Sequence, residues 1–163
     1  MSLLEPIEQI IGTHHVNIRR ILPEIYQEVQ RSATALENDA GKRLWENFKL
    51  LNDELLKHML KEEVLLFPSI LEVERAVNTG TKLDLTRHNI QNPLEQMEYE
   101  HNITEKYLAE IHVAGETLNW QQNHKNLFQK VSELETDLLH HIELEEQKLF
   151  KEARRLYILA IAN

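Results

Sequence analysis

Apolar side chains return every three or four positions over most of the chain, the spacing that gives a helix one dry face. Four long segments carry this pattern. The first covers about 3–32 and runs out in the polar stretch RSATALENDAG. The second covers about 42–77, with Pro68 predicted to kink it or split its end. The third starts near Pro93, placed as a first-turn proline, and reaches about 118; the fourth covers about 122–160. NTGTKLDLTRHNIQN at 78–92 is the one long loop, and the other two connections are short. Short connections make antiparallel neighbours, so the pattern predicts an all-α, up-down-up-down four-helix bundle forming a single domain over 1–163. No segment alternates convincingly as a strand would.

Polar residues interrupt these stripes at related places. The stripe of the second segment reads Leu44, Phe48, Leu51, Leu55, His58, Glu62, Leu65, and that of the fourth Leu127, Val131, Leu134, Leu138, His141, Glu145. HMLKEEVLLF at 58–67 and HIELEEQKLF at 141–150 both spell His-x-x-x-Glu-Glu-x-x-Leu-Phe, 83 residues apart. In the first segment the stripe is Ile11, His15, Ile18, Leu22, Ile25, Val29; in the third it is Leu94, Met97, His101, Thr104, Leu108, Ile111. The chain therefore reads as two helix hairpins of similar plan, each offering one His and then one His-x-x-x-Glu. On a helix that pair lies on one face, about 6 Å apart along the axis.

An ionised carboxylate in a dry bundle is costly unless it is paired or bound to a cation, and a buried imidazole needs partners for both nitrogens. Four His and two Glu meeting at one level make a poor core and a good cation site. Two carboxylates bridging two metal ions, with two terminal His on each, is the natural division of His15, His58, Glu62, His101, His141 and Glu145. Six mixed nitrogen and oxygen donors without thiolate favour iron, with manganese and zinc as competitors. Each ion would keep room for a bridging oxide and an exchangeable ligand, so small diatomic molecules would fit there.

Some neighbours stay open on periodicity alone. His14 fits an alternative stripe (Ile7, Ile11, His14, Ile18, Ile21, Ile25) as well as His15 fits its own, while the fourth stripe favours His141 over His140. His88, His112 and His124 read as solvated, and Trp45, Trp120 and the tyrosines as packing. Glu63 and Glu146 fall about a third of a turn off the core face, Glu100 flanks His101, and Glu105, one turn beyond His101, is within reach of the site.

Composition narrows the function classes. With 163 residues, four Gly and four Pro, the chain is one ordinary helical domain in size, and its formal charge of −9 disfavours nucleic acid and anionic membrane surfaces. The absence of Cys removes disulfides, thiol nucleophiles and a self-ligated iron–sulfur cluster. MSLLEPIEQIIG has no positive n-region, and LYILAIA at 156–162 is far short of a bilayer span, so a cytoplasmic location is expected.

HHVNIRRILP, HMLKEEVLLFP, EYEHNITEKYL and HIELEEQKLF resemble the hemerythrin HHE domain over about 5–155. They are most similar to its form in the di-iron iron–sulfur-cluster repair (RIC) proteins. That resemblance implies a hemerythrin-like bundle with ligands His15, His58, Glu62, His101, His141 and Glu145; the family's ligand eight residues before the proline selects His15. It implies two non-haem iron ions, oxo-bridged, and a role in nitrosative or oxidative stress through iron–sulfur-cluster repair or iron donation. O2 or NO, damaged iron–sulfur proteins and an electron donor would be its partners. An oxygen or nitric oxide carrier or sensor, and an oxidase- or peroxidase-like enzyme, are the alternatives; the repair reading is of a metal-binding protein rather than an enzyme. Oxygen-carrying members have a further His where Glu105 stands and end in His-x-x-x-x-Asp, unlike His141 and Glu145. LFK replaces the usual LFP after the second motif, and the N-terminal cysteine-containing domain of repair proteins is not expected.

Overall fold

The computed structural model describes residues 2–35 and 38–162, with the side chains of 33–35 left aside; Leu36 and Glu37, in the predicted polar stretch, fall outside the described residues. Helices α1 (Leu4–Gln9) and α2 (Val16–Ala35) form one rod through a π-helical turn, Ile10–His15. A second rod joins α3 (Asp39–Lys61) and α4 (Phe67–Thr79) through the π-helical turn Glu62–Leu66. The third is α5 (Gln91–Thr117). After the short α6 (Trp120–Asn123), the fourth joins α7 (Lys125–Leu144) and α8 (Lys151–Ala162) through the π-helical turn Glu145–Phe150. No strand occurs among the described residues, and the all-α bundle is as the periodicity predicts.

Local chemistry explains the ends. Asn38 caps α3 by accepting from the Gly41 amide, and Gly80, at φ 66°, closes α4 in the left-handed region where glycine is free of strain. The sequence predicts that Pro68 kinks the second segment or splits its end, and the α-helix is interrupted just before it, by the π turn Glu62–Leu66. Because the π turn ends at Leu66, Pro68 falls in the first turn of α4, where its missing N–H is not needed. At the α5–α6 corner a Cβ on Gly115 would stand 2.3 Å from the Trp120 ring, so only glycine lets that indole reach full burial. Trp120 is packing, against Phe128 and His112.

A π turn holds about one residue more than an α turn, so the next residues on the same face lie four and five positions on rather than three and four. Each of the three turns obeys this spacing. From Ile10 the buried pair is His14 and His15; from Glu62 it is Leu66 and Phe67; from Glu145 it is Leu149 and Phe150. Two predicted stripe positions are therefore wrong by one: Leu65 is 63% exposed and Leu66 buried, while Ile10 is buried and Ile11 half-buried.

Two apolar clusters fill the bundle, and the polar layer lies between them. One gathers Ile18, Leu22, Phe48, Leu55, Leu108, Trp120 and Leu138. The other gathers Ile10, Phe67, Ile70, Leu94, Phe150 and Ala153. No described helix is long and apolar enough to cross a membrane.

Candidate metal centre

All six predicted ligands are buried in one layer: His15, Glu62 and Glu145 at 0% exposure, His141 at 1%, His58 at 2% and His101 at 3%. Glu62 and Glu145 open their π turns, and His58 and His141 stand one α turn before them. His15 closes the π turn of the first rod, and α5 supplies His101.

Nε2 of every histidine points at the carboxylates. His15 Nε2 is 3.2 Å and His141 Nε2 3.9 Å from Glu62 Oε2, while His58 Nε2 is 3.0 Å from Glu62 Oε1. Glu145 divides in the same way, with His141 Nε2 2.7 Å from Oε1 and His101 Nε2 3.0 Å from Oε2. The donor atoms of His15, Glu62, His141 and Glu145 lie within 4.8 Å of one another, and so do those of His58, Glu62, His101 and Glu145. Both carboxylates belong to both groups.

This donor set fits metal binding. Both oxygens of Glu62 and Oε2 of Glu145 have no hydrogen-bond partner among the described residues, although imidazole nitrogens stand near them. The approach is close but off the hydrogen-bond line. In addition, Nε2 of His15 faces Nε2 of His141 at 3.3 Å, and Nε2 of His58 faces that of His101 at 3.1 Å. Two nitrogens so placed share at most one proton, and when neither carries one their lone pairs converge on a point a cation would satisfy.

Other side chains grip the far sides of the rings. His15 Nδ1 bonds Glu63 at 2.7 Å, and Arg19 donates two hydrogen bonds to that carboxylate. His101 Nδ1 bonds Glu146 at 2.7 Å. Glu100 accepts from His58 Nδ1 at 2.9 Å, from Gln96 and from Lys61. Phe67 stacks on His15 and Phe150 on His101, each with centroids 6.1 Å apart, so an apolar lid closes each ring from the side.

Charge follows geometry. Burial would lower the His58 pKa, but the facing Glu62 carboxylate and the bond to Glu100 raise it to about 10. Burial also opposes the charge of His141, and Glu145 outweighs it upward. Desolvation would raise Glu62, yet His58 and His15 hold it well below the usual carboxylate range. Glu100, despite its burial, is held at about 2 by the bonds from His58, Lys61 and Gln96. The carboxylates facing His58 and His141 favour positive charge on those rings, which does part of the work a cation would do in a layer sealed from water.

The outer residues were the ones whose roles the stripes did not show. Glu63 and Glu146 are off the core face as expected, but their carboxylates reach round to the ring nitrogens. Glu100 is 3% exposed, and Glu105, which helical spacing puts within reach of the site, is exposed; Thr104 is the buried neighbour instead. The repeated Glu-Glu doublet was the available signal for the first two. His14 is also buried beside His15, with its ring stacked on His141 at 5.8 Å; His140 is exposed.

The profile of the Hemerythrin HHE cation binding domain matches residues 7–153. The chain belongs to that family. Similar curated proteins include the Iron-sulfur cluster repair protein YtfE of Dickeya chrysanthemi (strain Ech1591), 29% identical over 160 residues, covering 94% of this chain and 67% of that protein. The protein of the same name in Cronobacter sakazakii (strain ATCC BAA-894) is 30% identical over 161 residues, covering 93% of this chain and 66% of the relative. This hemerythrin-family chain thus spans about two thirds of the length of these relatives.

Proposed function

We propose that His15 and His141 hold one iron ion, His58 and His101 hold a second, and Glu62 and Glu145 are shared by both. In this reading residues 1–163 form a single cytoplasmic domain that serves iron–sulfur-cluster repair by returning iron to damaged clusters under nitrosative or oxidative stress. The observation that carries it is the pair of overlapping donor groups, each with two imidazoles and the same two carboxylates. The names of the similar proteins supply the repair role.

Bound iron would supply a redox couple and a Lewis-acid site open to O2 or NO. The protein's own residues do the rest. Glu62 and Glu145 balance the charge of two cations, while Glu63, Glu100 and Glu146 hold three imidazoles with Nε2 inward. Phe67 and Phe150 exclude water from the two rings they cover. With no Cys in the chain, electrons must come from a partner. Carriage of a diatomic ligand is the weaker reading, since α5 contributes His101 alone to the donor groups and Glu105 is exposed.

The test is to load the metal-free protein with ferrous iron, measure metal per chain, and mix it with an iron–sulfur dehydratase inactivated by nitric oxide. Two irons per chain and recovery of dehydratase activity faster than with an equal amount of free iron are expected. Loading without recovery would overturn the repair role, and a folded protein that takes up no iron would overturn the metal assignment.

A further inference from the structure

The two hairpins repeat much of their chemistry residue for residue. Arg19, which grips Glu63, has no counterpart, since Glu105 stands in its place, and a second difference touches a ligand ring itself. His58, Glu62, Glu63 and Phe67 correspond to His141, Glu145, Glu146 and Phe150 at a constant separation of 83 residues, and His15 corresponds to His101. His15–Glu63 repeats as His101–Glu146, and His15–Phe67 repeats as His101–Phe150. The residue preceding each of the paired histidines is Glu100 in one hairpin and His14 in the other. Glu100 gives its carboxylate to Nδ1 of His58. His14, in the equivalent place, lies nearly parallel to the ring of His141, at 12°, and Nδ1 of His141 has no hydrogen-bond partner among the described residues. His14 is itself fixed, its Nδ1 2.8 Å from Asp137, which also takes a bond from Asn17.

A carboxylate on the far nitrogen of a ligating imidazole fixes its tautomer and orientation and makes it a stronger donor; a stacked ring fixes orientation alone. We infer that the two metal positions are unequal, that the ion held by His15 and His141 leaves first, and that His14 is the positioning residue that sets this difference. The inference rests on the two-ion reading above. It gives that reading a direction: one ion is the releasable cargo, and the ion between His58 and His101 is the retained one. Both histidines of the retained position have a carboxylate behind them, whereas only His15 has one in the other.

The experiment is anaerobic release. The protein is loaded with two equivalents of ferrous iron, an excess of a colorimetric ferrous chelator is added, and absorbance is followed. Two phases of equal amplitude are expected, with rates about tenfold or more apart. His14→Ala should quicken the fast phase and leave the slow one unchanged, and His14→Phe, which keeps a ring, should restore it. Glu100→Gln should quicken the slow phase only. His14→Glu combined with Asp137→Asn, which puts a carboxylate where the other hairpin has one, should slow the fast phase toward the slow one; mere damage to packing would not slow release. A single phase from protein carrying two ions would overturn the inequality while leaving the two-ion reading intact. Loading of fewer than two ions would overturn both. Equal acceleration of both phases by His14→Ala would remove His14 from the role.

Discussion

The hairpin of α1 to α4 and the hairpin of α5 to α8 repeat the contacts that place the six predicted ligands, and differ most in what each sets behind the other's second histidine. His15 with Glu63 and Phe67 matches His101 with Glu146 and Phe150. Across the hairpins Nε2 of His15 meets Nε2 of His141 much as that of His101 meets that of His58, but His58 has a hydrogen bond to Glu100 where His141 has only a ring stack with His14. Supports within a hairpin depend on helix spacing that both motifs share. Supports between hairpins depend on a single residue in each, and a single substitution makes them diverge. Such a protein can keep a symmetric cage of six donors and still treat its two halves differently.

The sharpest way to break the comparison is through the shared carboxylates. Glu62→Ala or Glu145→Ala removes a donor from both groups at once, so each should lose most of both irons by elemental analysis. His58→Ala or His141→Ala should lose about one ion and keep the other, because each imidazole serves one group. Loss of a single ion in the Glu variants would show that the carboxylates do not bridge.

Packing behind the π turns should be equal in the two halves. Leu66 and Leu149 are equivalent and buried, so truncation of either to Ala should cost about 2–5 kcal/mol in denaturant unfolding of the metal-free protein. Leu65→Ala, at an exposed position, should stay within about 0.5 kcal/mol. A large loss at Leu65 would put the register of the second rod back on plain α spacing.

Smaller effects test the outer hydrogen bonds. Glu63→Gln and Glu146→Gln remove matching supports from opposite halves, and each should weaken iron binding by about 10- to 100-fold at its own position. Markedly unequal losses would mean that Arg19, which grips Glu63, matters more than the symmetry does. The response to pH tests the same layer through its charge. His58 carries its proton up to about pH 10 in the metal-free protein, because Glu62 and Glu100 outweigh its burial, and His141 is raised as well. A cation must displace those protons, so apparent affinity should rise with pH below about 10, by about tenfold per unit for each proton released. Calorimetric titration in buffers of different ionisation enthalpy would count the protons; none released would contradict the charge balance described here.

The periodicity made the four rods and the two His-x-x-x-Glu pairs legible, since each pair lies within one unbroken α turn before its π turn begins. What periodicity missed came after those turns. Nothing in IIGTHH, EEVLL or EEQKLF marks a wider turn. The widening satisfies the layer, bringing two adjacent residues inward together: His14 with His15, Leu66 with Phe67, Leu149 with Phe150. For that reason the choice between His14 and His15 had no answer on spacing alone, as both face inward. Pro68 marked the break but not its form, because its place in a first turn exists only once the π turn ends at Leu66. Glu100 was hidden because its partner, His58, belongs to another rod, and single-helix patterns carry no record of contacts between rods.

The central claim is that six side chains hold two ions, with Glu62 and Glu145 between them. Diffraction from crystals of the iron-loaded protein, collected on either side of the iron absorption edge, tests it most directly. The account predicts two anomalous peaks in the layer between the apolar clusters, one beside Nε2 of His15 and His141 and the other beside Nε2 of His58 and His101, each within bonding distance of both carboxylates. A single peak, or iron found only at surface carboxylates, would contradict it.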